Sequence, residues 1–277
     1  MIDIIGKRYW YFALSLLVIV PGLISLALYG LPLAIDYTGG AMLELRLPAG
    51  AAPSSEEMIG IVRQATGFPT ADIRAQPSLQ GTLIIRTREM DAATQARVME
   101  ALRARYGDVV LERFESVGPT VGAEVTRGAL VAVAMASVAI MLYLTFAFRQ
   151  VPHAFRYGVA AVLALLHDVA VVVGAASIFG KVFGWEVDAL FLTAVLTIIG
   201  FSVHDSIVVF DRIRENLLRY RGEPYERIVN HSILQTLDRS LNTQLTLIFT
   251  LVALLLFGGT TIRQFIATLL IGMISGT

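Results

Sequence analysis

The residue of this chain with the clearest chemical potential is an acid inside an apolar run. Asp205 lies in a stretch, at about 189–210, that is long enough to cross a membrane. A charge at the centre of a span costs at least about 2.5–3.5 kcal/mol on insertion scales, and a protein that carries it usually uses the group. We therefore interpret Asp205 as a candidate proton or ion site. The structural alternative is a hydrogen bond between two helices.

Three further polar residues in apolar runs could take part in the same chemistry. His204 directly precedes Asp205, and His167 and Asp168 lie near the middle of another apolar run. Asp168 lies about ten residues into its run, which predicts a depth of roughly 15 Å. We favour a neutral packing role for each histidine over membership of a proton relay. The two His-Asp dipeptides do not predict a metal site, because adjacent residues point about 100° apart on a helix.

A candidate counter-ion for Asp205 lies further along the chain. Arg239 belongs to a row of polar residues that continues into the next apolar run. One helix over about 228–257 would bring Arg239 to a depth similar to that of Asp205. Arg stays charged, so its approach favours an ionised carboxylate and its departure favours proton uptake. We therefore predict an Asp205–Arg239 pair that acts as a proton switch. The row consists of Ser232, Thr236, Arg239, Thr243, Thr246 and Thr250.

The composition predicts a protein with several membrane spans. The chain has 277 residues, of which 56% are hydrophobic and 16% charged, against about 25% charged in typical soluble domains. Its net charge is zero, so nothing indicates a nucleic-acid partner, and the lack of cysteine excludes disulfides and cysteine nucleophiles. A sixth apolar run begins near Phe265 and stops at Thr277, too short to cross alone, so we expect the natural chain to continue. Five full spans are predicted, at about 9–31, 129–148, 157–179, 189–210 and 228–257.

Basic residues on short loops predict the orientation. They cluster before the first span, between the second and third, and after the fourth. Such loops stay in the cytoplasm, so we expect a cytoplasmic N-terminus and an external insertion. The predicted organisation is an N-terminal part with the first span (1–32), an external domain (33–124) and a five-helix membrane bundle (125–277) with a cytoplasmic loop at 211–230.

The external insertion has the pattern of a small α+β domain. Its apolar alternation and its helix caps predict the order β-α-β-β-α-β, a ferredoxin-like unit. The predicted fold class is thus a polytopic α-helical membrane protein of six spans, the last one truncated, with an α+β ferredoxin-like domain between the first two. A plain structural cap is the alternative role for this domain, since nothing in it looks catalytic. Strands are predicted at 41–47, 73–76, 82–87 and 109–117, and helices at about 54–66 and 92–106.

A short glycine-containing segment connects the first span to this domain. It consists of Asp36, Tyr37, Thr38, Gly39 and Gly40. The two glycines permit a turn with positive φ, and Asp36 or Thr38 can bond nearby backbone amides. Taken alone, the segment is interpreted as a linker.

Several segments resemble the SecD and SecF family of export proteins. The run DYTGG at 36–40 is similar to a family motif with a double glycine, although a double glycine alone is not specific. The run GFSVHDSIVVFDRIREN at 200–216 resembles the fourth-span signature of SecF, and NHSILQTLDRS at 230–240 resembles the start of its fifth span. Residues 257–259 and 265–277 are similar to its closing segment. The resemblance covers essentially the whole chain.

This resemblance implies a six-span unit of the resistance–nodulation–division superfamily in the bacterial inner membrane. It implies a SecD-like partner, the SecYEG channel as a neighbour, and use of the proton-motive force to help preproteins leave on the outer side. Protons would be the coupling ion, with no other cofactor, no metal and no covalent chemistry. The proton-pathway Asp and Arg of the family correspond to Asp205 and Arg239. Two residues depart from the family: His204 replaces a usual Asn, and Gln244 a small hydroxyl residue.

Three other functions stay open at this point. A small-solute proton antiporter of the same superfamily usually has two membrane halves in one chain, whereas this chain has one. A passive scaffold for export components would not need Asp205. A metal-dependent intramembrane enzyme would need a bound metal.

Overall fold

The structure, a computed structural model, describes residues 3–48, 51, 53–77, 82–149, 153–259 and 262–276. The loop predicted around 78–81 and the end of the chain at Thr277 lie outside these ranges. Two compact units divide the chain, one of Met1–Pro32 with Leu130–Thr277 and the other of Leu33–Ala129. The helices are α1 Arg8–Tyr29, α2 Ile35–Thr38, α3 Ser55–Thr66, α4 Ala92–Tyr106, α5 Pro119–Ala147, α6 Ala154–Phe183, α7 Ala189–Arg219, α8 Tyr225–Phe257 and α9 Arg263–Ser275. The strands are β1 Gly40–Arg46, β2 Arg74–Pro77, β3 Leu83–Thr87 and β4 Val110–Val117.

Five helices of the described residues are long and apolar enough to cross a membrane: α1, α5, α6, α7 and α8. This confirms the five predicted full spans. The helix α9 is apolar but has only 13 residues, which is too few to cross about 30 Å of hydrocarbon. The chain is therefore a mostly helical, multi-pass membrane protein with a small sheet.

The segment 211–230, predicted as a cytoplasmic loop between two spans, is helical in most of its length. The helix α7 continues to Arg219 and α8 begins at Tyr225, so 220–224 alone connect them. Ion pairs between positions i and i+3 support the polar end of α7, with Arg212–Glu215 at 2.7 Å and Asp211–Arg214 at 2.8 Å. Hydropathy marks the part of a helix that crosses the membrane and misses such a polar extension. The same reason explains why α5 begins at Pro119, before the predicted position 129.

Small residues bring two membrane helices of the first unit together. The helix α6 packs against α1, α7 and α9, and α7 also packs against α8 and α9. Where α1 meets α6, a Cβ atom added to Gly174 would lie 2.8 Å from the Cα atom of Gly22. Nearby, the buried hydroxyl groups of Ser25 and Ser177 are 2.9 Å apart and share a hydrogen bond. Close backbone contact at small residues is typical of helix packing in membranes.

The second unit has the element order β1–α3–β2–β3–α4–β4, as predicted from the sequence. Its antiparallel sheet has the strand order β2-β3-β1-β4. Alternate residues of β1 are buried, because successive side chains of a strand point to opposite faces. The core forms between the sheet and the two helices α3 and α4. Its fully buried large residues include Leu43, Leu45, Met58, Val62, Ile85, Val98 and Leu102.

Side-chain caps begin the two helices of this unit. The Ser54 hydroxyl accepts a hydrogen bond of 3.1 Å from the Glu57 amide, which confirms the predicted cap of α3. At α4, Asp91 Oδ1 accepts a hydrogen bond of 2.9 Å from the Thr94 amide. Hydrogen bonds from the side chain and the backbone amide of Thr94 hold the pKa of Asp91 below its ordinary value. Local sequence therefore sets where both helices start.

Candidate functional site

The carboxyl group of Asp205, on α7, meets an amide on the neighbouring helix α8. Gln244 Nε2 donates a hydrogen bond of 2.8 Å to Asp205 Oδ2. Gln244 is buried, with 3% of its surface exposed, and Asp205 is partly buried. The short connection at 220–224 makes α7 and α8 antiparallel neighbours. The acid therefore lies at a contact between two membrane helices, bound to a neutral partner.

Arg239, the predicted counter-ion, lies away from this contact. It is exposed and lines a cavity of about 340 Å³. Among the described residues, its side chain forms no ion pair with Asp205, so the predicted pair is not formed and Gln244 takes its place. The reason is helical geometry: positions 239 and 244 are five residues apart, which puts them about 140° apart around α8. One helix cannot present both side chains to the same carboxyl group.

The cavity beside Arg239 is lined by charged and apolar side chains. Arg212 and Arg214 also line it, but each is bound to an acid of α7, Glu215 and Asp211 respectively. Such exposed pairs contribute little to stability, in the range of about 0–1 kcal/mol. Across the part of the chain that the structure describes, Arg239 is the cavity-lining arginine whose guanidinium group has no ion-pair partner. Apolar lining residues include Tyr143, Ala147, Phe148, Ile207 and Val208.

His167 and Asp168 form a second polar cluster, on α6. His167 Nδ1 lies 2.9 Å from Asp168 Oδ1, although the two side chains start about 100° apart on the helix. The other ring nitrogen of His167 lies 2.5 Å from the hydroxyl oxygen of Ser15 on α1. Asp168 is 4% exposed, and its Oδ2 atom lies beside Gly276. The cluster thus links α1 to α6 and sits close to the end of α9.

His204 does not join either cluster within the described residues. It is exposed, as are Thr193 and Gly200 on the same side of α7. A similar exposed polar row follows α8, where three threonine hydroxyls bond only to the carbonyl four residues earlier. We call these two rows together the exposed polar face. It consists of Thr193, Gly200 and His204 on α7, and Arg239, Thr243, Thr246 and Thr250 on α8.

Sequence reasoning missed a buried hydrogen-bond network between α7 and α8. Asn216 is 2% exposed, and its amide donates to the hydroxyl of Ser232 and to Gln235 Oε1, both at 2.9 Å. Gln235 in turn lies 2.8 Å from His231 Nε2. A signal was present, since Asn216 continues the polar stripe of α7 that contains Asp205 at helical spacing. Because buried polar groups need partners, this network fixes how α7 and α8 are paired.

The segment 36–40, predicted as a linker, is a packed turn within the second unit. Gly39 and Gly40 have φ values of 71° and 123°, which confirms the predicted positive φ. An added Cβ atom at Gly39 would lie 2.8 Å from the Cα atom of Pro119, at the start of α5. The Thr38 hydroxyl donates to the carbonyls of Ala34 and Gly39 rather than binding an amide. Asp36 and Tyr37 lie in the one-turn helix α2.

Polar groups gathered inside membrane helices define the class of this protein. Ionisable residues in spans are typical of substrate, ion and proton pathways in membrane transport proteins. Within the ranges that the structure describes, no three His, Asp or Glu residues form a group that could hold a metal ion. The arrangement is therefore that of a multi-pass membrane protein with candidate proton-carrying groups at its helix contacts.

Comparison with known proteins identifies the family. The family profile described as "Protein export membrane protein SecD/SecF, C-terminal" matches residues 97–277. A protein translocase subunit SecF from Anaerolinea thermophila is 48% identical, with 100% of this chain and 90% of the relative covered. The chain therefore belongs to the SecD/SecF family of protein-export membrane proteins. Its relatives support an accessory, non-catalytic role in the Sec export pathway.

Longer relatives contain this chain as one part. The protein translocase subunit SecDF of Bacillus subtilis is 34% identical over 99% of this chain, which covers 36% of that protein. The crystal structure of SecDF from Thermus thermophilus, described as a translocon-associated membrane protein, matches with a TM-score of 0.84 and 32% identity. The match covers 100% of this chain, and this chain spans 36% of the length of the SecDF protein in that structure.

Proposed function

We propose that this protein is a proton-motive-force-coupled accessory subunit of the Sec export machinery. It acts with a SecD-like partner beside the SecYEG channel and promotes the translocation and release of preproteins on the outer side. The observation that carries the proposal is the carboxyl group of Asp205, partly buried in a membrane helix and bound to the neutral Gln244 amide. A carboxylate with a neutral partner can bind and release a proton.

The energy available to such a proton carrier is sufficient to move a domain. One charge crossing 100 mV supplies about 2.3 kcal/mol. That energy biases a two-state equilibrium roughly fiftyfold, since about 1.4 kcal/mol corresponds to tenfold. In this proposal, protonation of Asp205 changes the packing of α7 and α8, and Arg239 approaches the carboxylate in another state of the cycle. His204 and the His167–Asp168 cluster are candidate further stations for the proton.

The exposed polar face supports a SecD-like partner. In an isolated chain this face would meet lipid, where polar side chains and a guanidinium group are unfavourable. Polar and small side chains at such a face commonly form contacts between membrane helices. In relatives named SecDF, the segment that matches this chain is 36% of a longer polypeptide. A SecD-like partner that corresponds to the remainder of those relatives would cover the face.

The same proposal includes a finer architecture. The helix α9 is the first part of a sixth span, and the second unit is a ferredoxin-like domain, as its element order and strand order support. The external domain comprises 33–124 and the membrane bundle 125–277. The basic residues on the short connections between spans support an N-terminus inside and a domain outside the bacterial inner membrane. The chain performs no covalent chemistry.

The test of the function is an Asp205→Asn variant produced at the parent level with its partner. Release of an exported reporter protein is measured in membrane vesicles with and without a proton ionophore. We expect the parent to lose its potential-driven release with the ionophore and Asp205→Asn to lack it throughout. Asp238→Asn is the matched control, since Asp238 is an exposed acid on the neighbouring helix α8 and forms no ion pair among the described residues. Normal potential-driven release by Asp205→Asn would refute the proton-carrier role, and solute efflux that depends on Asp205 would favour the antiporter.

A further inference from the structure

We propose that Gln244 keeps the Asp205 carboxyl group bound to α8 in both protonation states by turning its side-chain amide. Gln244 is then a positioning residue for the proton carrier, and the inference rests on the proposed function of Asp205. Gln244 stands where the family resemblance predicts a small hydroxyl residue, and the inference gives this difference a role.

The two ends of the Gln244 amide differ in their hydrogen bonding. Its Nε2 atom donates to Asp205 Oδ2 at 2.8 Å. Its Oε1 atom is buried and has no hydrogen-bond partner among the described residues. Buried polar atoms are rarely left without a partner. The unused acceptor therefore lies on the same amide group that already contacts the carboxyl group.

The two ends of the amide match the two states of a carboxyl group. An ionised carboxylate only accepts hydrogen bonds, so the amide must present its NH₂ group, as it does in this structure. A protonated carboxyl group has one O–H donor, for which Oε1 is the matching acceptor. A half-turn of the amide exchanges the two ends, which have almost the same shape. Asp205 alone gains or loses the proton, and Gln244 stays neutral in both states.

Other charged or titratable groups do not replace Gln244 at this contact. The helix α7 packs against α6, α8 and α9, and the ring of its Phe210 meets Phe148, directly after α5, edge-on, with the ring centroids 6.1 Å apart. In the described part of these helices, the amide of Gln244 is the group bonded to the carboxyl group of Asp205, while His167 and Asp168 bond to each other. Loss of the amide should therefore change the titration of Asp205 directly. The charged or titratable groups that form no bond with Asp205 within the described residues include His204 on α7, Tyr143 on α5, His167 and Asp168 on α6, Asp238 and Arg239 on α8, and Arg263 on α9.

The proposal is tested with Gln244→Met, which keeps the length of the side chain and removes both hydrogen-bonding ends. Membranes that contain the full chain and its partner are treated with a hydrophobic carbodiimide, which reacts with protonated carboxyl groups, over a range of pH. Mass spectrometry then measures modification at Asp205. We expect the pH of half-reaction to rise, because the lost hydrogen bond is stronger to the ionised form than to the protonated form. The control Asn242→Leu removes an exposed amide from the same helix and should leave the profile unchanged.

A second variant keeps the test decisive if Gln244→Met fails to accumulate. In Gln244→Glu, two carboxyl groups at hydrogen-bond distance share one proton, so the pair should titrate in two steps and modification at Asp205 should depart from the parental profile. A parental profile in whichever variant folds would overturn the inference. The underlying function is judged separately, by reporter release in Asp205→Asn. If that variant loses release while Gln244→Met titrates like the parent, the amide role alone is wrong.

Discussion

The contact between Gly22 and Gly174 gives the sharpest structural prediction. Replacement of Gly174 by alanine adds a Cβ atom 2.8 Å from the Cα atom of Gly22. Nonbonded carbon atoms prefer a separation of about 3.5–4.0 Å. The atom that must yield belongs to backbone, so a side-chain rotation cannot relieve the clash. The helices α1 and α6 must therefore separate by roughly 0.7–1.2 Å at this point.

A shift of this size would break the neighbouring hydrogen bond between Ser25 and Ser177. The hydroxyl oxygens of Ser25 and Ser177 are 2.9 Å apart, and the same shift would stretch them to roughly 3.6–4.1 Å, which is too long for a hydrogen bond. Overpacking costs about 1–3 kcal/mol and the lost bond about 0.6–1.7 kcal/mol. Alanine recovers about 0.8–1.0 kcal/mol through its helix propensity. The net loss of stability for Gly174→Ala is therefore about 1–4 kcal/mol.

The chain has no cysteine, which makes cross-linking a clean assay. A Ser25→Cys/Ser177→Cys double variant should form a disulfide on mild oxidation. Adding Gly174→Ala should lower the cross-linked fraction, and the purified protein with Gly174→Ala alone should unfold at a lower temperature. Gly200→Ala serves as a control, because an added Cβ atom there meets no atom within 4 Å. Equal cross-linking and equal stability in the Gly174→Ala variants would show that the two backbones are not in tight contact.

Two further predictions concern the second unit. Because the hydrogen bonds of Thr94 lower the pKa of Asp91, the stabilising effect of this cap is present above its unfolded pKa near 3.8 and is lost as the pH falls. The protection factor of the Thr94 amide, from hydrogen exchange corrected for the intrinsic exchange rate at each pH, should therefore fall on acidification, and Asp91→Ala should show the low protection factor already at neutral pH. Gly39→Ala combines positive φ with a clash at Pro119, so it should destabilise the unit by roughly 1–3 kcal/mol or more. Limited proteolysis of the full chain would detect this, with Gly60→Ala, at an open helical position, as the control.

The sequence predicted the second unit closely because its signals are local. The helix at 92–106 was predicted with the bounds that the structure shows, because Asp91 caps its start and Gly107 ends it. The alternation in β1 predicted which side chains face the core. Hydropathy predicted that there are five long membrane helices, but it did not predict how far their polar ends extend. The polar end of α7 is held by backbone hydrogen bonds and by charge pairs along the helix, which leave no trace in hydropathy.

The candidate site was predicted in part for a similar reason. Asp205 was found from the type of residue and its place in an apolar run. Opposite charge and similar depth predict Arg239 as its partner. The angle around α8 decides the contact, and that angle favours Gln244 over Arg239. A neutral amide gives no electrostatic signal in a sequence, so the position of Gln244 five residues after Arg239 was not recognised as a partner.

A neutral partner suits a proton carrier better than a constant charge does. A guanidinium group in contact with Asp205 would favour the ionised carboxylate and oppose proton uptake. An amide can bond to the ionised and the protonated group in turn, so neither state is strongly trapped. Gln244 and Arg239 lie about 140° apart around α8. The neutral amide and the charged guanidinium group are therefore on different sides of this helix. If Asp205 carries protons, the amide side holds it ready for uptake, and a movement of α8 that brings Arg239 to the carboxylate would drive the proton off.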